Sequence, residues 1–210
     1  MTWDALETPY LRVDRPRFDA NIKRLNCHLS ILKTPLRPHV KTLKSLPAVK
    51  AIFNGGTGPI TVSTLKEADF FAEHGFLDQI YAVGIAQNKL PHVKRLIEQG
   101  VDLKIILESE TQALQVVEFC RLHDIVIPVL IEIDCDGSRA GLTAESPALM
   151  DVSKILAQAE LFKGVLLHAG GSYGCMTRSD KVAAAENERA TAVYVKERLE
   201  LAGIDCPMVS

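Results

Sequence analysis

The sequence predicts an α/β fold in which a parallel sheet is joined up by crossover helices. Three observations predict it. Short apolar or β-branched runs alternate with longer amphipathic segments along all 210 residues. The amphipathic segments carry helix start and stop signals at their ends. The residues with chemical potential fall just after strands, so they share one edge of the sheet.

The strand candidates are 36–40, 60–63, 79–83, 103–107, 127–133 and 164–168, and a seventh opens at Cys206 and runs to Ser210. The helix candidates are 16–32, 65–74, 90–99, 109–123, 146–159 and 179–202. Glu67 and Asp69 sit in the first turns of the second helix, and Gly75 offers it a C-cap. Gly100 and Gly203 end the third and sixth. Ser109 and the acids beside it suit the N-terminus of the fourth. Six complete strands and part of a seventh fit either a doubly wound open sheet or a (β/α)8 barrel without its last unit. No GxGxxG follows the first strand, which weighs against a dinucleotide fold. Gly55-Gly56-Thr57-Gly58 precedes a strand instead of opening a helix, so it reads as a loop.

Composition narrows the class of function. With 47% hydrophobic and 24% charged residues, the chain reads as one globular domain over residues 1–210. Net charge is −2 and no basic stripe is interleaved with aromatics, so nucleic acid is not an expected partner. No apolar run is long enough to span a bilayer, and residues 1–17 lack a signal-peptide core. Cys27, Cys120, Cys135, Cys175 and Cys206 are scattered, odd in number and without CxxC, which suits reduced thiols in the cytoplasm. No HxH, HExxH or carboxylate cluster has metal-ligand spacing.

Lys41 follows the first strand, Arg139 the fifth, His168 and Tyr173 the sixth, and Ser210 ends the seventh. All five therefore lie at carboxyl ends of strands, where active sites form in either architecture. A lysine at the end of a buried strand would lose charge through burial, and its neutral amine can attack an aldehyde. The alternative is a snorkelling lysine. The planar fork of Arg139 suits an anionic oxygen, with an ion pair to Asp134 or Asp136 as the alternative. His168 stands before Gly170 and Gly171, which leave room for a flat ligand, and Tyr173 offers a hydroxyl to the same space. A hydrogen-bonded structural histidine is the plainer reading of His168. His39 faces the other side of its strand from Val40 and reads only as a helper for Lys41.

Five segments in order resemble the fold-type III pyridoxal-phosphate (PLP) enzymes. They are 8–14 (Thr-Pro-Tyr-Leu-Arg-Val-Asp), 37–44 (Arg-Pro-His-Val-Lys-Thr-Leu-Lys), 64–68 (Thr-Leu-Lys-Glu-Ala), 132–142 and 168–175 (His-Ala-Gly-Gly-Ser-Tyr-Gly-Cys). The resemblance is to the D-threonine aldolase and D-serine dehydratase branch, related to the alanine racemase N-terminal domain. It implies a (β/α)8 TIM-type barrel of the alanine racemase N-terminal type, truncated after the seventh strand, and a lyase acting on D-amino acids. An amino-acid racemase and a non-catalytic PLP-binding homeostasis protein are the alternatives.

Carried over by residue, the resemblance makes Lys41 the residue that forms a Schiff base with PLP and moves the proton at the substrate α-carbon. Arg139 would contact the oxygen edge of the cofactor ring and His168 would lie beside that ring. Tyr173 would lie near substrate or cofactor, and Ser210 would begin the phosphate-binding stretch. Leu43 stands where the family more often has histidine. The resemblance further implies a C-terminal β domain absent from this chain, zinc ligands within that domain, and a homodimer in the full-length form. The expectation is a piece of a longer enzyme, or a chain completed by a partner.

Overall fold

The computed structural model describes Glu7, Tyr10 and residues 12–210; Thr8, Pro9 and Leu11 of the opening motif lie outside the described residues. The described residues form seven α-helices and seven strands, which alternate except that α2 follows α1 and β5 follows β4. Helix α1 is Arg15–Leu32, α2 Leu46–Ile52, α3 Leu65–Ala72, α4 Leu90–Glu98, α5 Glu110–His123, α6 Pro147–Gln158 and α7 Arg178–Leu201. Strand β1 is Ile60–Val62, β2 Asp78–Gly84, β3 Asp102–Leu107, β4 Val129–Asp134, β5 Leu142–Thr143, β6 Phe162–Leu167 and β7 Met208–Val209.

Local chemistry explains the helix boundaries. Thr64 caps α3, and Glu67 reaches back to the Thr64 amide in a reciprocal capping box. Thr177 and Asp180 build the same device at the start of α7. Ser109 accepts the Gln112 amide at the start of α5. The expected α3 runs to residue 74 but the helix stops at Ala72, and Gly75 with φ of 86° turns the chain away. In α4 the buried residues Leu90, Val93 and Leu96 recur at helical spacing, which gives the helix one apolar stripe.

The pairing order decides between the two architectures. Strands run β1-β2-β3-β4-β6-β7, every pairing is parallel, and short β5 pairs with β4 off this path. Apart from β5, neighbours in sequence are neighbours in space. A doubly wound sheet would reverse its strand order partway, and this one never does. The sheet is therefore wound in barrel order.

The expected first strand over 36–40 is a difference. Only His39 bridges β1, through Thr61, and a 3₁₀ turn begins at once with Val40–Thr42. Pro38 cannot donate to a ladder, but its carbonyl accepts the Thr61 amide at 2.9 Å. Helix α2 was not expected either; Pro47 sits in its first turn, where a missing amide costs nothing.

Two apolar layers hold the sheet. Ile80, Ile106, Leu130 and Leu166 meet on its inner face. Residues of the opposite parity, among them Tyr81, Ile105, Ile131 and Val165, join the larger core under the helices. His39 pairs with Thr61, and Thr61 with Ile80, so these three share the inner face. The amino ends of the strands are closed by charge. Asp78 binds Arg37 at 2.8 Å and Lys104 at 3.0 Å, and Lys104 also binds Asp102 at 2.7 Å. The Arg37 and Lys104 side chains are only 14% and 9% exposed, so the carboxylates answer two buried cations.

Candidate active site

The opposite, carboxyl edge gathers the residues singled out in the sequence. Lys41 sits in the 3₁₀ turn Val40–Thr42, immediately after the His39 bridge. Val40 is buried, whereas Lys41 is exposed. The burial expected for a strand-end lysine is thus not found, because the chain leaves the sheet one residue early.

Arg139 follows the turn after β4. Asp134 Oδ1 accepts the amides of Asp136 and Gly137, and Gly137 takes a φ of 71°. Asp136 Oδ1 accepts from Ser138 N, and Asp136 Oδ2 accepts from Gly171 N at 2.8 Å. Both aspartates serve backbone amides, and neither forms the ion pair with Arg139 that the sequence left open. The stem of Arg139 instead packs over Gly170. A Cβ there would lie 2.6 Å from Arg139 Cγ.

His168 and Tyr173 face each other across the 3₁₀ turn Gly170–Gly174, with rings edge to face at 5.9 Å. His168 Nε2 and the Tyr173 hydroxyl are 3.0 Å apart. Tyr173 is 75% exposed, so its hydroxyl is accessible from outside. Ser210 N donates to Val165 O at 3.0 Å, and Ser210 O accepts from Leu167 N at 2.8 Å, which seats Ser210 at the same edge beside β6.

Electrostatics shows that these groups feel one another. Burial, then the charges of Arg139 and Lys41, lower the His168 pKa, with Glu188 and Asp136 opposing. Burial, then Lys41, bring His39 down to about 4, with His168 adding to the effect and Glu67 opposing it. Both rings are therefore neutral near pH 7. Burial and the neighbouring Glu108 raise the Glu132 pKa, against the pull of Arg139.

Sequence reasoning read His39 only as a helper for Lys41 and missed Ser63, Glu67 and Glu108 as neighbours of the site. His39 Nδ1 accepts the Lys41 amide at 3.3 Å and its Nε2 lies 3.2 Å from Ser63 Oγ. Glu67 pairs with Lys44 at 3.3 Å. Glu108 accepts the Gly141 amide. The one local signal was an acid at Glu67 in the first turn of a helix, which did not set it against Lys44. Among the described residues no group of three or more His, Cys, Asp or Glu could hold a metal ion. Among them, too, no helix is long and apolar enough to cross a membrane.

A sheet wound in barrel order, with an amine, a guanidinium, an imidazole and a phenol on its carboxyl edge, defines a domain of the α/β barrel class with its reactive groups on one rim. The model of the alanine racemase N-terminal domain matches residues 13–210, and the chain belongs to that family. D-threo-3-hydroxyaspartate dehydratase of Delftia sp. (strain HT23) is 41% identical over 98% of this chain and 54% of its own length. Its solved structure superposes with a TM-score of 0.93 at 40% identity, covering 98% of this chain and 55% of that one. D-serine dehydratase of Dictyostelium discoideum is 29% identical over 91% of this chain and 52% of its own. D-threonine aldolase from Filomicrobium marinum shares the fold, with a TM-score of 0.85 at 21% identity over 97% of this chain and 55% of that one. The chain spans about half the length of the curated relatives it matches.

Proposed function

We propose that this chain supplies the cofactor-holding half of a PLP-dependent lyase that removes water from D-amino acids with a hydroxyl on the β-carbon. The convergence of Lys41, Arg139, His168 and Tyr173 on one sheet edge carries this reading. The donor set suits the group: a primary amine answers an aldehyde and a guanidinium answers a phenolate oxygen. The room for a flat ligand expected at Gly170 and Gly171 is instead taken by the Arg139 stem and by Asp136 Oδ2, so these glycines let the two loops close on each other. When bound, PLP supplies an electron sink for charge developing at the substrate α-carbon.

Each residue then has one task. Lys41 would hold the cofactor through its side-chain amine and, once the substrate's own amine has displaced it, would take the proton from the α-carbon. Arg139, its stem fixed over Gly170, orients the cofactor through its ring oxygen. His168 is kept neutral, so it lies beside the ring without adding a charge and can exchange a proton with Tyr173 at 3.0 Å. The exposed Tyr173 hydroxyl is the group that hands a proton to the departing hydroxide, giving water. Hydrolysis then yields ammonia and a 2-oxo acid. Ser210 opens the phosphate contacts at the end of β7's pairing with β6. The five free cysteines suit a reducing, cytoplasmic setting, and the full-length form is read as a homodimer.

The 41% identity with a dehydratase favours elimination over carbon–carbon cleavage. The test is to give full-length protein and PLP both D-serine and D-threo-3-hydroxyaspartate, then to measure ammonia, 2-oxo acid and aldehyde. Ammonia and 2-oxo acid in equal amounts support the proposal. Aldehyde and glycine would make it an aldolase, and α-hydrogen exchange with no net product would make it a racemase.

A further inference from the structure

Lys41 lies in a turn with little backbone ladder to hold it. The segment before it meets β1 at the single bridge His39–Thr61. After it, Lys44 takes a left-handed φ of 43°, a conformation that non-glycine residues adopt at a cost. Both flanks are nevertheless fastened, and to the same place. On the near side His39 Nε2 meets Ser63 Oγ at 3.2 Å. On the far side Lys44 Nζ meets Glu67 Oε1 at 3.3 Å. Ser63 and Glu67 are themselves joined, because Glu67 Oε2 accepts the Ser63 amide at 2.8 Å.

We infer that His39 and Glu67 are positioning residues that clamp the Lys41 turn to the junction of β1 and α3, and that Glu67 withholds the competing amine of Lys44. This inference rests on the proposed role of Lys41 as the PLP-holding residue.

The hydrogen bonds fix the state of the ring. Nδ1 accepts the Lys41 amide, so in neutral imidazole the proton is on Nε2. Nε2 then donates to Ser63 Oγ, and Ser63 keeps its own proton to give elsewhere. His39 also caps the 3₁₀ turn from its first flanking position. The two lysines end up chemically different. Lys44 has a carboxylate on its ammonium, whereas Lys41 is exposed. An aldehyde arriving at this edge meets the amine of Lys41 free and that of Lys44 engaged.

The experiment is reductive trapping. Full-length protein is mixed with PLP, treated with borohydride, digested, and the label on Lys41 and on Lys44 is quantified by mass spectrometry. Wild type is expected to carry the label on Lys41. Glu67→Gln keeps an oxygen for the Ser63 and Thr64 amides but loses the charge, and it should raise the share on Lys44 at least about fivefold. His39→Ala should lower the label on Lys41 by about fivefold, the scale of losing a cap, and His39→Asn, which keeps an acceptor for the Lys41 amide, should restore most of it. Unchanged ratios in all three variants, with wild type labelled on Lys41, would overturn the clamp alone. A wild type never labelled on Lys41 would overturn the functional reading and the clamp with it.

Discussion

The Gly171 amide donates to Asp136 Oδ2 at 2.8 Å, and this one bond joins the loop after β4 to the loop after β6. It draws Arg139 over Gly170 and sets both beside His168. The two halves of the candidate cofactor seat are thus tied to each other. Two loops, each on its own strand, would otherwise vary independently.

The seat is sensitive to a single methyl group. Gly170→Ala would place a carbon 2.6 Å from Arg139 Cγ and 2.7 Å from Cδ, in mid-stem, so the arginine must shift. PLP affinity of the full-length protein is expected to fall about tenfold, close to 1.4 kcal/mol, while the unfolding midpoint hardly changes. Equilibrium dialysis of PLP alongside a thermal melt checks both halves of this prediction.

His39 makes stability depend on pH. Its folded pKa is about 4 against an ordinary value of 6.5, so the unfolded chain binds the proton first. The contribution of His39 is complete above pH 6.5 and is lost as pH falls from there toward 4. Allowing for partial exposure, the loss is about 2 kcal/mol. Lys41 and His168 favour the neutral ring and Glu67 opposes them. Urea unfolding at pH 7 and pH 4.5 should show a slope in wild type that His39→Gln flattens.

Gly164 is the tightest point of the sheet. Its φ is 137°, and a Cβ would sit 1.9 Å from Met208 O, inside the β6–β7 pairing. Gly164→Ala should therefore cost at least about 2 kcal/mol and free β7 from β6. Amide exchange at Ser210, which donates to Val165 O, would rise in the variant.

The charged cluster at the amino ends of the strands has a different role. Asp78→Ala leaves Arg37 and Lys104 with one carboxylate fewer between them. A loss of about 2 kcal/mol in unfolding free energy is expected, since Asp102 still holds Lys104. PLP trapping at Lys41 should stay as in wild type, because this face of a barrel serves stability and not chemistry.

The sequence made the helices and central strands legible because their signals are local. Periodicity gave β2, β3, β4 and β6, and the cap at Ser109 gave the start of α5. The strand before Lys41 was overread. Its apolar run looks extended, but Pro38 offers no donor and His39 caps a turn instead. The barrel order was not legible from periodicity, since it depends on which strands pair, a non-local matter. The same division holds at the site. Lys41, Arg139, His168 and Tyr173 were singled out because each was read as following a strand, and the structure brings them to one sheet edge although the segment before Lys41 forms only a bridge. Ser63 and Glu67 were not, because their partners His39 and Lys44 lie more than twenty residues away in sequence. His39, set aside as a helper, proves to be bonded on both ring nitrogens.

The most direct test of the central claim is the visible absorption spectrum of full-length protein with PLP, wild type beside Lys41→Ala. The account predicts a band of covalently held PLP in wild type that is lost in the variant and is bleached by borohydride. A band that survives unchanged in Lys41→Ala, or that appears in neither protein, would contradict the assignment of Lys41 as the residue that holds the cofactor.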